Sequence, residues 1–277
     1  MVDIINGHYD SPKVSVVMSV HNGEKYVGDA IESILNQTST NFEFVIINDG
    51  SIDKTKDILN SYRDFRIKVY HQEHMGLTKS LNKAIKLSIG KYIARMDADD
   101  IALPKRIEKQ YQFLKEHKDT VCCSSWYYLI NDDDDVIKKC KLPITHERIV
   151  GKMLFYNPLI HPGAMMHKEP MLRLGLYNES YIYSQDLELW FRMIAHGYKL
   201  SNIPEYLMKL RVHSDKIGLK KESEQKKTHP LLIKNAIKNG TYSSLAYGPY
   251  IYRLFSAYIP KEILIAKRRF FSRLLKY

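Results

Sequence analysis

The chain has 277 residues, 44% hydrophobic and 26% charged, with 42 Lys and Arg against 31 Asp and Glu for a net charge of +11. That length and balance belong to a soluble globular protein with one large α/β domain, or one domain with a helical appendage. They leave no room for two common alternatives: no uncharged apolar run approaches the roughly 20 residues a membrane-spanning helix needs, and Cys122, Cys123 and Cys140 lack the even count of a disulfide framework and the spacing of a zinc site.

Met1 to Asn6 lacks the basic start and apolar run of a signal peptide, so the expected location is cytoplasmic. Lys13 to Val20 is a nearly continuous apolar, β-branched run, as in a strand buried within a parallel sheet. A turn at His21-Asn22-Gly23-Glu24 follows. Tyr26, Val27, Ala30, Ile31, Ile34 and Leu35 then recur at helical spacing. The unit repeats: Phe42 to Asn48 as strand, Asp49 to Asp53 as loop, Lys54 to Tyr62 as helix. Ile67 to Tyr70 gives a third strand, Leu77 to Ser88 a third helix, and Tyr92 to Met96 a fourth strand. Alternation of this kind predicts a mostly parallel, Rossmann-like sheet flanked by helices.

In such sheets ligands sit beyond the carboxyl ends of the strands. Polar residues collect there: Asn22 and Glu24, Asn48 and Asp49, and then Asp97, Asp99 and Asp100. Residues two apart on an extended chain project to the same side. Asp97 and Asp99 could therefore share one Mg²⁺ or Mn²⁺ through oxygen ligands, and such an ion would hold a diphosphate. An acidic turn closing a strand would have the same sequence.

Pro104 to His117 reads as an amphipathic helix and Val121 to Ile130 as a strand. Asp132 to Asp135 reads as a solvated hairpin tip, since it lacks the glycine and distant glutamate of a calcium loop. Thr145 is expected to cap a helix reaching about Tyr156. Asn157 to Gly163 is a loop entering a short strand at Ala164 to His167. Gln185 to Ala195 is a helix stopped at Gly197. A carboxylate in its first turn, Asp186, is favoured by the helix dipole whatever its role. Tyr206 to Val212 is strand-like, Lys220 to Lys227 a charged linker, and Leu231 to Tyr277 a set of two or three helices. Between Tyr250 and Tyr277 seven cations face the single acid Glu262. Seven aromatic residues share the stretch, which suits a peripheral helix on an anionic membrane better than nucleic-acid binding.

The order of these segments resembles the family 2 inverting glycosyltransferases of the GT-A fold, bacterial and non-processive in type. The residues that carry the resemblance are Val14 to Glu24, Ile47 to Ser51 with Asp53, Gly76-Leu77 with Leu81-Asn82, and Gly90 to Asp100. Pro104 with Arg106, His161-Pro162, Gln185-Asp186 and Arg211-Val212-His213 continue it. The resemblance implies a GT-A domain over residues 1–218 and a helical, basic and aromatic extension over residues 219–277. It implies nucleotide contacts from His21, Asn22, Glu24, Asp49, Lys79 and Asp97, and metal ligation by Asp99 and His213 through the Asp-x-Asp motif. Asp186 would be the general base. The expected reaction moves one sugar from a nucleotide-sugar donor, a UDP-sugar, to a hydroxyl of a glycan or lipid-linked acceptor at the inner membrane face. Mn²⁺ or Mg²⁺ is the expected cofactor.

Two departures bear on this. Gln185 stands where the family commonly has an acid, and the Gln-x-x-Arg-Trp signature of processive synthases is absent. A sugar nucleotidyltransferase would share the sheet and the metal, but its glycine-rich first loop is replaced by His21 to Glu24. A dinucleotide-dependent oxidoreductase needs a Gly-x-Gly-x-x-Gly that is missing here. A catalytically inactive nucleotide-sugar binding module stays open, because a fold does not fix an activity.

Overall fold

The protein was analysed as a computed structural model, which describes residues 11–213, 222–246 and 248–251. The first half repeats one unit. Strands β1 (Val14–Val20), β2 (Phe42–Asp49), β3 (Ile67–Gln72) and β4 (Tyr92–Asp97) alternate with helices α1 (Val27–Leu35), α2 (Thr55–Ser61) and α3 (Leu77–Leu87). These strands pair in parallel in the order β3-β2-β1-β4. The second half is mixed. A two-residue strand β5 (Ile101–Ala102) and α4 (Arg106–Glu116) lead to the hairpin of β6 (Thr120–Ile130) and β7 (Val136–Cys140). Then come α5 (His146–Met153), a 3₁₀ turn at His161–Gly163, β8 (Met165–His167), α6 (Lys168–Arg173), α7 (Gln185–Ala195), β9 (Lys199–Arg211) and α8 (Glu222–Lys238). β8 runs antiparallel to β4 and β6, so it joins the halves into one curled sheet.

Both faces of the sheet are covered, which is why its central strands are mostly apolar. Alternation with period two sends Val16, Met18, Phe44 and Ile46 to the side of α1 and α4. Val17, Val45 and Ile47 go to the side of α3, α5 and α7. The helices answer at their own period: Leu81, Ala84 and Ile85 of α3 form one buried stripe.

Within the described residues most predicted elements are present with shifts of a few residues at their ends, while the last strand begins at Lys199, seven residues before the expected Tyr206. The expected helices of Leu231 to Tyr277 are described only as far as Ile251. The segment Lys220 to Lys227 differs from expectation. From Glu222 it is the first turn of α8 and not a linker. Lys, Glu and Gln are strong helix formers, and the helix they start is anchored further on, where Leu232, Ile233 and Ala236 join the apolar cluster built on α7. His229 Nε2 donates to the Met153 carbonyl at 2.7 Å and ties α8 to α5. No helix among the described residues is long and apolar enough to cross a membrane. The basic and aromatic tail lies outside the described residues beyond Ile251.

Candidate active site

Register brings the strand ends together. Val20 lies opposite Asn48, and Ser19 opposite Asp97, so the loops after β1, β2 and β4 open on one rim of the sheet. The loop after β1 is laced to the loop after β2. The Asn22 side chain accepts from Ile52 N at 2.9 Å, and Asn22 N donates to Ser51 Oγ at 3.0 Å. Glu24 Oε2 accepts from Lys54 N at 2.9 Å, and Gly23 N donates to Thr55 Oγ1 at 2.8 Å. The polar atoms of Asn22 and Glu24 thus shape the loop pair, and His21 closes over it by donating Nδ1–H to the Asp49 carbonyl at 2.7 Å.

Asp49 is buried at the end of β2. Its Oδ1 accepts from Gln72 Nε2 at 2.7 Å and Met75 N at 2.9 Å, and its Oδ2 from Gly76 N at 2.9 Å, with His74 Nδ1 at 3.0 Å. Burial works to raise this carboxyl, but the donors from Met75, Gln72, Ser80 and Gly76 outweigh it and hold it below its ordinary value. Gly50 makes the turn possible. Its φ is +70°, and a Cβ there would stand 2.6 Å from His74 N. Lys79 is exposed on the first turn of α3 and lines an open groove of about 380 Å³ with Met75, Lys83 and Glu179.

The three acids after β4 converge. Asp97, Asp99 and Asp100 can each offer one carboxylate oxygen within 4.8 Å of the others, yet they face different neighbours. Asp97 is ion-paired with Arg95, a guanidinium only 2% exposed. Arg95 lies two residues earlier on the strand and so on the same face. Asp100 is fully buried and accepts the Arg211 backbone N–H at 2.9 Å, which fastens the loop after β4 to the end of β9. Asp99 points outward and meets His213, whose Nε2 lies 2.9 Å from Asp99 Oδ2. An octahedral ion with bonds of about 2.1 Å sets neighbouring ligands about 3 Å apart, so this pair stands at the spacing such an ion requires. Oxygen-rich donors with one imidazole suit Mn²⁺ or Mg²⁺. The donor set therefore fits the expected divalent cation.

Asp186 enters from α7. Ser184 adopts a left-handed conformation, φ +61°, and turns the chain into the helix, whose buried Leu187, Leu189 and Trp190 fix its pose. Asp186 is half-buried, and its carboxylate accepts from Asn157 Nδ2 at 2.6 Å. Burial pushes this carboxyl above its ordinary value. The Leu187 N–H, the charge of Arg95 and the Asn157 amide oppose that rise without cancelling it. Behind it His161 is hydrogen-bonded to Tyr177 Oη at 2.8 Å. Burial, and then the charge of Arg95, hold that imidazole well below its usual range.

The structure thus gathers Asp97, Asp99 and His213 into one cluster and sets Asp186 within the field of Arg95. Asp49 with His21, Asn22 and Glu24 forms the adjoining rim, and Lys79 stands on its edge. Sequence reasoning missed Arg95, Asn157, Tyr26 and the hairpin acids. Arg95 had a signal, since a cation inside an apolar strand needs a partner and Asp97 is at the right spacing. The acids form the exposed hairpin tip expected of them, and two are also held: Asp132 Oδ1 accepts from Tyr26 Oη at 2.7 Å, and Asp134 Oδ1 pairs with Arg211 Nη2 at 2.5 Å.

The family model for glycosyl transferase family 2 matches residues 15–173. An uncharacterized glycosyltransferase of Methanocaldococcus jannaschii is 36% identical over 271 residues, covering 93% of each chain. The O-antigen biosynthesis glycosyltransferase WbnJ of Escherichia coli is 36% identical over 206 residues, 73% of this chain and 80% of its own. Among solved structures, S. aureus TarS 1-349 in complex with UDP-GlcNAc superposes with a TM-score of 0.66 at 18% identity, over 88% of this chain and 73% of its own. The mannosyltransferase PcManGT of Pyrobaculum calidifontis, in complex with GDP-Man and Mn²⁺, gives 0.63 at 15% identity, over 96% and 81%. These likenesses bear on the fold, which is the GT-A arrangement. The chain is a glycosyltransferase and belongs to glycosyl transferase family 2.

Proposed function

We propose that this enzyme transfers one sugar, with inversion, from a UDP-sugar to a hydroxyl of a glycan or lipid-linked acceptor in surface polysaccharide assembly. The observation that carries the proposal is the division of labour among the carboxylates. One of them, Asp186, sits on a rigid helix start with a raised proton affinity. The others cluster with an imidazole at the spacing of metal ligands.

Inversion is a single displacement. The acceptor hydroxyl attacks the anomeric carbon, the bond from that carbon to the diphosphate breaks, and the hydroxyl proton passes to Asp186. A carboxylate with a raised proton affinity suits that role, because a base works best when its pKa approaches the operating pH. Asn157 and the Leu187 N–H orient it. Asp99 and His213 would hold Mn²⁺ or Mg²⁺, which when bound supplies positive charge to the departing diphosphate. Asp97, braced by Arg95, would face the ribose. His21, Asn22, Glu24 and Asp49 would form the base pocket, with Lys79 on its approach. The donors already around Asp49 mean that a base reaching it must displace one, and the exposed His74 is the most easily moved.

The UDP and UDP-GlcNAc complexes of TarS, the Mn²⁺ complex of PcManGT and the O-antigen role in WbnJ's name all support this choice of donor, cofactor and pathway. Residues 219–277 would then form the helical extension whose cations hold the enzyme at the inner membrane face. A thermal-shift screen of nucleotide sugars with and without Mn²⁺ tests the donor. Stabilisation by UDP-sugars that depends on Mn²⁺ is expected. Equal shifts without metal, or a response confined to another nucleotide, would refute the assignment.

A further inference from the structure

The turn between β6 and β7 is the acidic stretch that the sequence alone sets aside as solvent-facing. In the fold it is latched to the metal cluster from two sides. Arg211, 1% exposed, donates from Nη1 to the carbonyls of Asn131 and Asp132 at 3.0 and 3.1 Å, and pairs through Nη2 with Asp134. The same guanidinium donates from Nε to the Asp99 carbonyl at 3.1 Å, and its backbone N–H is held by Asp100. Two residues on, His213 meets Asp99. Tyr26 completes the ring. Its face lies 4.5 Å from the Arg211 guanidinium and 5.1 Å from the His213 ring, while its hydroxyl donates to Asp132.

A planar guanidinium with donors to both the turn and the Asp99 backbone is a rigid spacer, and lysine could not make the same fork. Asp134 is at φ +66°, a conformation that Asp and Asn tolerate better than most residues. The turn is thus shaped to present its carboxylate to Arg211. We propose that the turn Asn131–Asp135 is a positioning element for the metal site: through Arg211 and Tyr26 it holds Asp99 and His213 at the spacing a divalent cation needs. The inference rests on the reading that these two residues ligate the cation.

The test is Mn²⁺ binding, followed by electron paramagnetic resonance in the presence of UDP, for the full chain and three variants. Asp134→Asn keeps the backbone conformation and removes the ion pair. Tyr26→Phe keeps the ring and the net charge and removes the hydroxyl. Asp133→Asn removes one charge from the same turn at a carboxylate with no side-chain partner among the described residues. The first two variants are expected to bind Mn²⁺ about tenfold more weakly, the effect of losing one hydrogen bond to a charged group, and Asp133→Asn to bind as the wild type does. Equal weakening in Asp134→Asn and Asp133→Asn with Tyr26→Phe unaffected would mean that charge alone acts, and would overturn the inference. So would wild-type affinity in all three. Failure of the wild type to bind Mn²⁺ would overturn the metal reading and this inference with it.

Discussion

Replacing Arg95 by methionine separates the two halves of the site by a charge and keeps most of the volume. Removing one partner of a buried ion pair typically costs about 3–5 kcal/mol. Two features reduce that here. Asp97 is 24% exposed, so water can take over part of its charge. Arg95 Nε and Nη1 have no hydrogen-bond partner among the described residues, so their own burial penalty disappears with the side chain. The net loss is then about 1–3 kcal/mol, and at about 2–4 °C per kcal/mol the variant should melt roughly 2–12 °C below the wild type. The functional effect is more diagnostic. Asp186 must be ionised to act as base, so activity falls as pH drops through its raised pKa, and Arg95 is one of the groups that restrains that rise. Without the cation the acid limb of kcat/KM must move to higher pH, and Arg95→Lys must move it back. UDP release measured across a pH series reads this directly. An acid limb unchanged in the methionine variant would refute the electrostatic link between Arg95 and Asp186, whatever happens to stability.

Other predictions concern the donor side. Gly50→Ala forces a left-handed alanine, at about 1–2 kcal/mol, and drives its Cβ against the His74 backbone. Thermal denaturation should fall by at least about 3 °C, and UDP should bind more weakly because Asp49 and its donors lie on that turn. Chelation by EDTA should abolish transfer and added Mn²⁺ restore it, whereas His213→Ala should need far more Mn²⁺ for half-maximal rate. An unchanged metal requirement in His213→Ala would remove that residue from the ligand set.

The sheet was legible because its strands are buried on both faces and so read as unbroken β-branched runs, each ending in polar residues. That rule located Asp49 and Asp97 without help. It could not join Asp99 to His213, since the hydrogen bond between them spans 114 positions and arises from the antiparallel pairing of β5 with the end of β9. Only the likeness to a family bridged that distance. The roles of Asn22 and Glu24 were legible as strand-end positions, but whether their atoms face a ligand or the next loop depends on loop geometry that no periodicity encodes. Asp132 and Asp134 lie on an exposed hairpin tip as the sequence implies, but their partners, Tyr26 and Arg211, were hidden for the same reason: they are about eighty or more residues away. The helix at Glu222 was hidden by charge, because its apolar anchor begins only at Leu232.

The central claim is that Asp186 takes the proton while the cluster around Asp99 holds the donor. Asp186→Asn tests it in one protein preparation, by sugar transfer and by UDP binding with Mn²⁺. Loss of a general base should lower turnover by about 10²–10⁴-fold and leave UDP and Mn²⁺ affinity unchanged. Wild-type turnover in the purified variant, or loss of turnover that only follows loss of donor binding, would contradict the account.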